Sequence, residues 1–257
     1  MTSLNTILDR IKSAPSLDFG NIFSDSLELF KKTWIQGFLL QIFSIIIMLP
    51  LILIIYVPLI GIMIAQAESG EYEPDAYNAV FAGFSFLFII LIVVGSFVLG
   101  TVTIALQAGF FRIMKRLDYD QEVLTSDFFY YIKGKYLGKL FVLMLASIFI
   151  STIATLLCFL PLLYVMVPMY FFTFFFAFNP EFSVGDIIKG SFALGNKKWL
   201  LVFGLLIVSS LLAQIVGAIL CGIGVFFTAA FVYHPIYLVY KNVVGFEDDN
   251  AINHIVE

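Results

Sequence analysis

His234 is the one imidazole that falls inside a long uncharged stretch of this sequence, and His254 lies in an acidic C-terminal tail. A metal centre needs three or four ligands able to meet, and these two histidines cannot assemble one. No acidic residue lies within any of the uncharged stretches. Two-carboxylate chemistry and the ion-coupling carboxylate of a secondary transporter therefore have no candidates at membrane depth. Cys158 and Cys221 are not spaced as a metal or redox pair and read as small core residues. The expectation is a protein that is not an enzyme and carries no cofactor and no metal.

The polar groups left inside apolar sequence are Gln41, Gln107, Gln214 and His234. Either they hydrogen-bond between helices, or they line one polar cavity for an apolar or lipid-like solute. His234 is seven residues from Lys241, roughly 10 Å along a helix, so it could also reach a headgroup layer. The acidic group Glu68, Glu71, Glu73 and Asp75 lacks the ligand spacing of a calcium loop and reads as solvated, as does Glu247 to Asp249.

What positions these groups follows from composition. Hydrophobic residues make up 61% and charged residues 12% of the 257 positions. A soluble domain leaves too much exterior for such a composition, so lipid must be the solvent for most of the chain. The net charge of −4 and few cations exclude a nucleic-acid binder.

All charges avoid 33–67, 76–111, 140–180 and 199–240. About 20 apolar residues cross a bilayer, so the last two stretches read as two spans each, turning at Pro161 and within Gly217 to Gly224. The first two read as one long span each, with Pro50 and Pro58 expected to kink or end the first. That predicts six spans; eight would leave the sidedness unchanged. The run from Phe171 to Phe178 is aromatic around the whole helix, so part of it is expected to meet lipid while other rings pack between repeats, a hydrophobic ligand groove being the alternative.

With six spans, all 14 Lys and Arg fall on one face, which marks it cytoplasmic and places both termini there. The first apolar run begins beyond a charged and polar N-terminal segment, unlike a cleavable signal peptide. The localisation expected is the bacterial inner membrane.

At an offset of 165 residues the chain resembles itself. Gly20-Asn21-Ile22-Phe23 lies over Gly185-Asp186-Ile187-Ile188, and Ser26, Leu29, Lys32 and Trp34 lie over Ser191, Leu194, Lys197 and Trp199. A weaker third copy begins at Ser126-Asp127-Phe128-Phe129. The spacing of Phe19, Ile22, Phe23, Leu27, Phe30 and Trp34 is that of one helix face; Leu124, Phe128, Tyr131, Ile132 and Tyr136, then Val184, Ile187, Ile188 and Phe192, repeat it. These segments are expected to lie in the membrane plane as a cytoplasmic collar anchored by Trp34 and Trp199, with lysines toward anionic headgroups.

The fold class expected is therefore all-α: a polytopic membrane bundle of six spans as three hairpins, each preceded by a cytoplasmic interfacial amphipathic helix. The repeats run over 17–116, 124–180 and 182–241 within one domain, and 242–257 is an acidic tail.

Through Gly20-Asn21-Ile22-Phe23-x-x-Ser26 and its echo Gly185-Asp186-Ile187-Ile188-x-x-Ser191, residues from about 17 to 245 resemble a group of bacterial six-helix membrane proteins. That group is similar to the membrane domain attached to some glycerophosphodiester phosphodiesterases. The catalytic domain of those enzymes has no counterpart here, so their activity does not carry over. Flavobacterial proteins that look like this chain are often labelled beta-carotene monooxygenases, a name implying a four-histidine iron site that two histidines cannot build. A membrane scaffold, a platform for membrane lipids or a membrane or cytoplasmic protein partner, is the function these readings favour. A channel or carrier for an apolar solute is the alternative. Oligomeric state is left open.

Overall fold

The computed structural model describes residues 3–70, 75, 78, 86–220 and 222–246. Glu71, Glu73, Cys221, His254 and the acidic tail from Glu247 onward lie outside the described residues.

Every element among the described residues is helical. Helix α1 is Leu4–Ser13, α2 Phe19–Ser69, α3 Phe86–Asp118, α4 Gly134–Leu156, α5 Leu160–Phe178, α6 Val184–Lys197 and α7 Trp199–Ile219. After a turn come α8, Val225–Thr228, a 3-10 turn over Ala229–Val232, and α9, Tyr233–Val243. Five helices, α2 to α5 and α7, are long and apolar enough to cross a membrane. They fit a multi-pass membrane protein.

The segment expected as the sixth span is broken into three short pieces. Pro235 explains the break: it has no N–H to give, and its ring crowds the carbonyl of Phe231, four residues back. The chain tightens to 3-10 geometry just ahead of it.

Helix α2 corrects the first collar segment. It starts at an Asp18 N-cap, whose Oδ1 accepts from the Asn21 amide at 2.8 Å, and runs without a break past Trp34, Pro50 and Pro58 to Ser69. Nothing between Phe19 and Trp34 ends a helix, so the amphipathic stretch is simply the first turns of the span. The two prolines leave it unbroken, as transmembrane helices tolerate.

The second collar segment forms no α-helix. It is a 3-10 turn, Thr125–Phe129, followed by irregular chain up to Gly134. Phe128 docks between Phe43 and Phe110, and Asp127 is held by Arg116 at 2.7 Å and by the Leu124 amide at 2.9 Å. Tertiary contacts thus override a helical spacing too short to nucleate alone.

Only the third segment is a separate helix. In α6, Ser183 and Asp186 form a reciprocal capping box, and the helix ends at Lys198 before α7 begins.

Burial divides the helices lengthwise. The N-terminal half of α2, the C-terminal halves of α3 and α5, α6 and α9 share one core, whose centre includes Leu106, Phe110, Phe174, Ile187 and Tyr237. Beyond about residue 45, α2 leaves most of its large apolar side chains exposed, as do the first turns of α3. Gly195 lets α6 touch α5, where a Cβ would sit 2.7 Å from the Pro168 Cα. Gly109 lets α3 touch the 3-10 turn, where a Cβ would be 2.3 Å from the Phe128 carbonyl oxygen.

Candidate functional site

His234 is fully buried, ringed by Phe30, Phe110 and Phe231. Its Nδ1 lies 3.1 Å from the Ala230 carbonyl and 3.2 Å from that of Phe231. Carbonyls only accept, so Nδ1 carries the proton. The Phe231 carbonyl is the one that Pro235 leaves without its i+4 donor, and His234 joins the Tyr233 N–H in bonding to it. Its Nε2 faces the Thr33 hydroxyl at 2.6 Å. Thr33 is also 3.0 Å from the Leu29 carbonyl, so its single hydrogen serves either the ring or the helix. The imidazole joins α2 to α9 and bridges a proline break, and no other titratable group among the described residues acts on it.

None of the grooves formed by the described residues holds more than one of the four polar residues expected around one cavity. Gln107 lines an open groove of about 260 Å³ with Met166, Met169, Tyr170 and Thr173. Gln214 lines another, of about 200 Å³, with Ser210, Thr228 and neighbours. Gln41 and His234 line neither.

The residues expected at a membrane interface also divide. Ile22, Phe128 and Ile187 are buried inside the protein; Phe23, Leu27, Phe30, Ile132, Ile188, Phe192 and Trp199 are half-buried. Phe19 and Trp34 are exposed, at 38% and 43%. The periodic apolar faces thus meet protein at their centres, because α5, α7 and α9 supply apolar partners that lipid was expected to supply. Burial repeats at the same offset as the sequence: Ile22 with Ile187, Ser26 with Ser191, Leu29 with Leu194, and Thr33 with Lys198 are all buried. Trp199 has a structural task, its indole N–H donating at 3.0 Å to the Tyr164 carbonyl. That carbonyl lies four residues before Pro168 and lacks its i+4 donor for the same reason as Phe231.

The charged helix ends interlock. Lys32 meets Asp120 at 2.7 Å, Arg116 meets Asp127, and Lys241 meets Asp118 at 2.6 Å beside the Tyr237 hydroxyl. Lys139 donates to the Pro180 and Phe182 carbonyls at 2.5 and 2.6 Å, and Tyr131 donates to Ala177 at 2.6 Å. These donors answer the unsatisfied carbonyls at and just past the C-terminus of α5. Burial pushes the Tyr131 hydroxyl pKa well above its usual value near 10, against a smaller downward pull from Arg112.

Helix α1 was not anticipated. Ser3 caps it by accepting from the Thr6 amide, and Ile7 and Ile11, one turn apart, are buried in the common core. That spacing and the Ser3 cap were the available signals. Arg10 donates to the Val244 carbonyl at 2.7 Å, Lys197 to Lys12 at 3.0 Å, and Lys198 to Pro15. Lys198 is only 7% exposed, and this burial, with Lys197 beside it, lowers its pKa from the usual 10.5.

No family model, curated protein or solved structure matches the chain. Among the described residues no three His, Cys, Asp or Glu side chains gather as a metal site.

Proposed function

We propose that this is a non-catalytic scaffold of the bacterial inner membrane, crossing six times as three hairpin repeats with both termini cytoplasmic. Its charged end is the platform for anionic lipids or a protein partner. The resemblance to bacterial six-helix membrane proteins points the same way, as does the matching burial of the two best repeat copies. The sixth crossing is the broken segment Val225 to Val243, whose proline and histidine make it self-contained in lipid.

The observation that carries the reading is the construction of the charged end. Lys32, Arg116, Lys139, Lys198 and Lys241 hold helix ends together, whereas Lys133, Lys135 and Lys189 are exposed beside them and Lys31 is exposed while paired with Glu28 one turn back at 2.6 Å. A rigid end carrying outward cations suits an anionic surface, each such lysine contributing on the order of 1 kcal/mol.

The test replaces those four exposed lysines with Gln in the full chain. The purified variant should keep its monodisperse profile while retaining several-fold less anionic phospholipid, or less of a co-purifying protein, than the parent. Unchanged lipid and protein complements would defeat the platform. External labelling of a tag on either terminus in intact cells would defeat the orientation.

A further inference from the structure

The groove beside Gln107 carries hydroxyls that differ from most of those in the long helices. In these helices a hydroxyl normally bonds to its own backbone one turn back. Thr101 and Thr103 of α3 do so at 2.8 and 3.0 Å, and Ser147, Thr152 and Thr155 of α4 at 2.8 to 2.9 Å. Such hydroxyls are satisfied and offer little to a ligand. Thr173 of α5 makes no such bond, and Tyr170, one turn earlier on the same face, lies within electrostatic reach of Tyr233 but forms no hydrogen bond among the described residues. Both open onto the groove with Gln107 of α3.

Gln107 shares a hydrogen bond with the Tyr233 hydroxyl. That bond anchors the amide and leaves further donor and acceptor capacity. Two helices therefore direct an amide and two free hydroxyls into one recess. Met166 and Met169 form its apolar wall, flexible enough to fit rings or branched chains.

No charged residue lines the recess among the described residues, so a charged ligand would lose its hydration without a counter-ion. At about 260 Å³ it is smaller than a typical site for a whole small molecule. It holds a head and leaves a tail outside, along the exposed apolar flanks of α4 and the first turns of α5.

We propose that this groove binds the carbonyl- or hydroxyl-bearing head of an uncharged lipid, such as a prenylated or alkylated ring, with Gln107, Tyr170 and Thr173 as its hydrogen-bonding partners. The site stands independently of the platform reading. It accounts for Gln107 without Gln41, Gln214 or His234.

The test uses the full chain in detergent, with decyl-benzoquinone as the probe and decane as the apolar control. The quinone should raise the apparent Tm saturably and decane should not. Gln107→Leu and Thr173→Val should each raise the half-saturating concentration about five-fold, the cost of one ordinary hydrogen bond. Tyr170→Phe, which keeps the ring, provides a third variant should either of those fail to fold. A saturable shift with decane, no saturable shift with the quinone, or wild-type half-saturation in the folded variants would each overturn the proposal.

Discussion

Replacing His234 with Ala removes a side chain that nothing else in the structure can stand in for. The imidazole is enclosed by Phe30, Phe110 and Phe231, and losing it opens a cavity of the kind that costs roughly 2–5 kcal/mol. It also removes the Nδ1–H that the Phe231 carbonyl accepts in place of the i+4 donor Pro235 lacks, leaving that carbonyl the Tyr233 N–H alone, at about 1 kcal/mol. Together these come to roughly 3–6 kcal/mol. For a chain of this size that is a fall in apparent Tm of about 6–24 °C. The loss would be read from the monodisperse fraction surviving heating in detergent.

Thr33→Val removes only one partner of Nε2 and should cost about 1 kcal/mol, or about 2–4 °C. Adding Pro235→Ala to His234→Ala returns an N–H opposite the Phe231 carbonyl and should recover part of the loss. Two results would refute the reasoning: His234→Ala melting within about 2 °C of the parent, or the His234 and Pro235 effects adding as though the sites were unconnected.

Three other outcomes follow from the same geometry. Gly109→Ala places a Cβ 2.3 Å from the Phe128 carbonyl oxygen, so backbone must move; a loss of about 3 kcal/mol in thermal stability is expected, and a neutral variant would mean the 3-10 turn is displaceable. Tyr131 has a folded pKa raised above its unfolded value near 10, so its contribution is complete below pH 10 and is lost as pH climbs beyond it. Apparent Tm should fall above pH 10, and Tyr131→Phe should flatten that fall while costing about 1 kcal/mol at neutral pH for the lost bond to Ala177. Trp199→Phe should destabilise the parent by about 1 kcal/mol but a Pro168→Ala background by less, because alanine restores the helical donor to the Tyr164 carbonyl; equal losses in a double-mutant cycle would contradict that pairing.

Several elements were legible residue by residue. The periodic segment beginning at Val184 is α6, and the apolar stretch beginning at Trp199 is the start of α7. The small-residue run at Gly217 to Gly224 does hold a turn, with Gly222 at φ 83°. The reversal before Pro161 was placed correctly, but not its strain: Cys158 and Phe159 both adopt positive φ, at 65° and 62°, a region costly for residues with a Cβ. Of the candidate site, Gln107 was visible as an amide in apolar sequence. Tyr170 and Thr173 were not, since neither type is unusual in a span and only their place in the groove beside Gln107 sets them apart.

The sequence by itself determined that long apolar helices exist, where charge permits them to end, and which residues share a helix face, because these depend on local spacing and on the length needed to cross hydrocarbon. Only the tertiary structure decided what each face meets. Ile22, Phe128 and Ile187 are spaced as membrane-surface residues and lie inside the protein. Lipid and protein interior are equally apolar, so a periodic hydrophobic face reports that water is absent without reporting which of the two has replaced it. The prolines show the same division. Their missing N–H is written in the chain, but the donors that answer the freed carbonyls, His234 on Phe231 and Trp199 on Tyr164, are settled by folding.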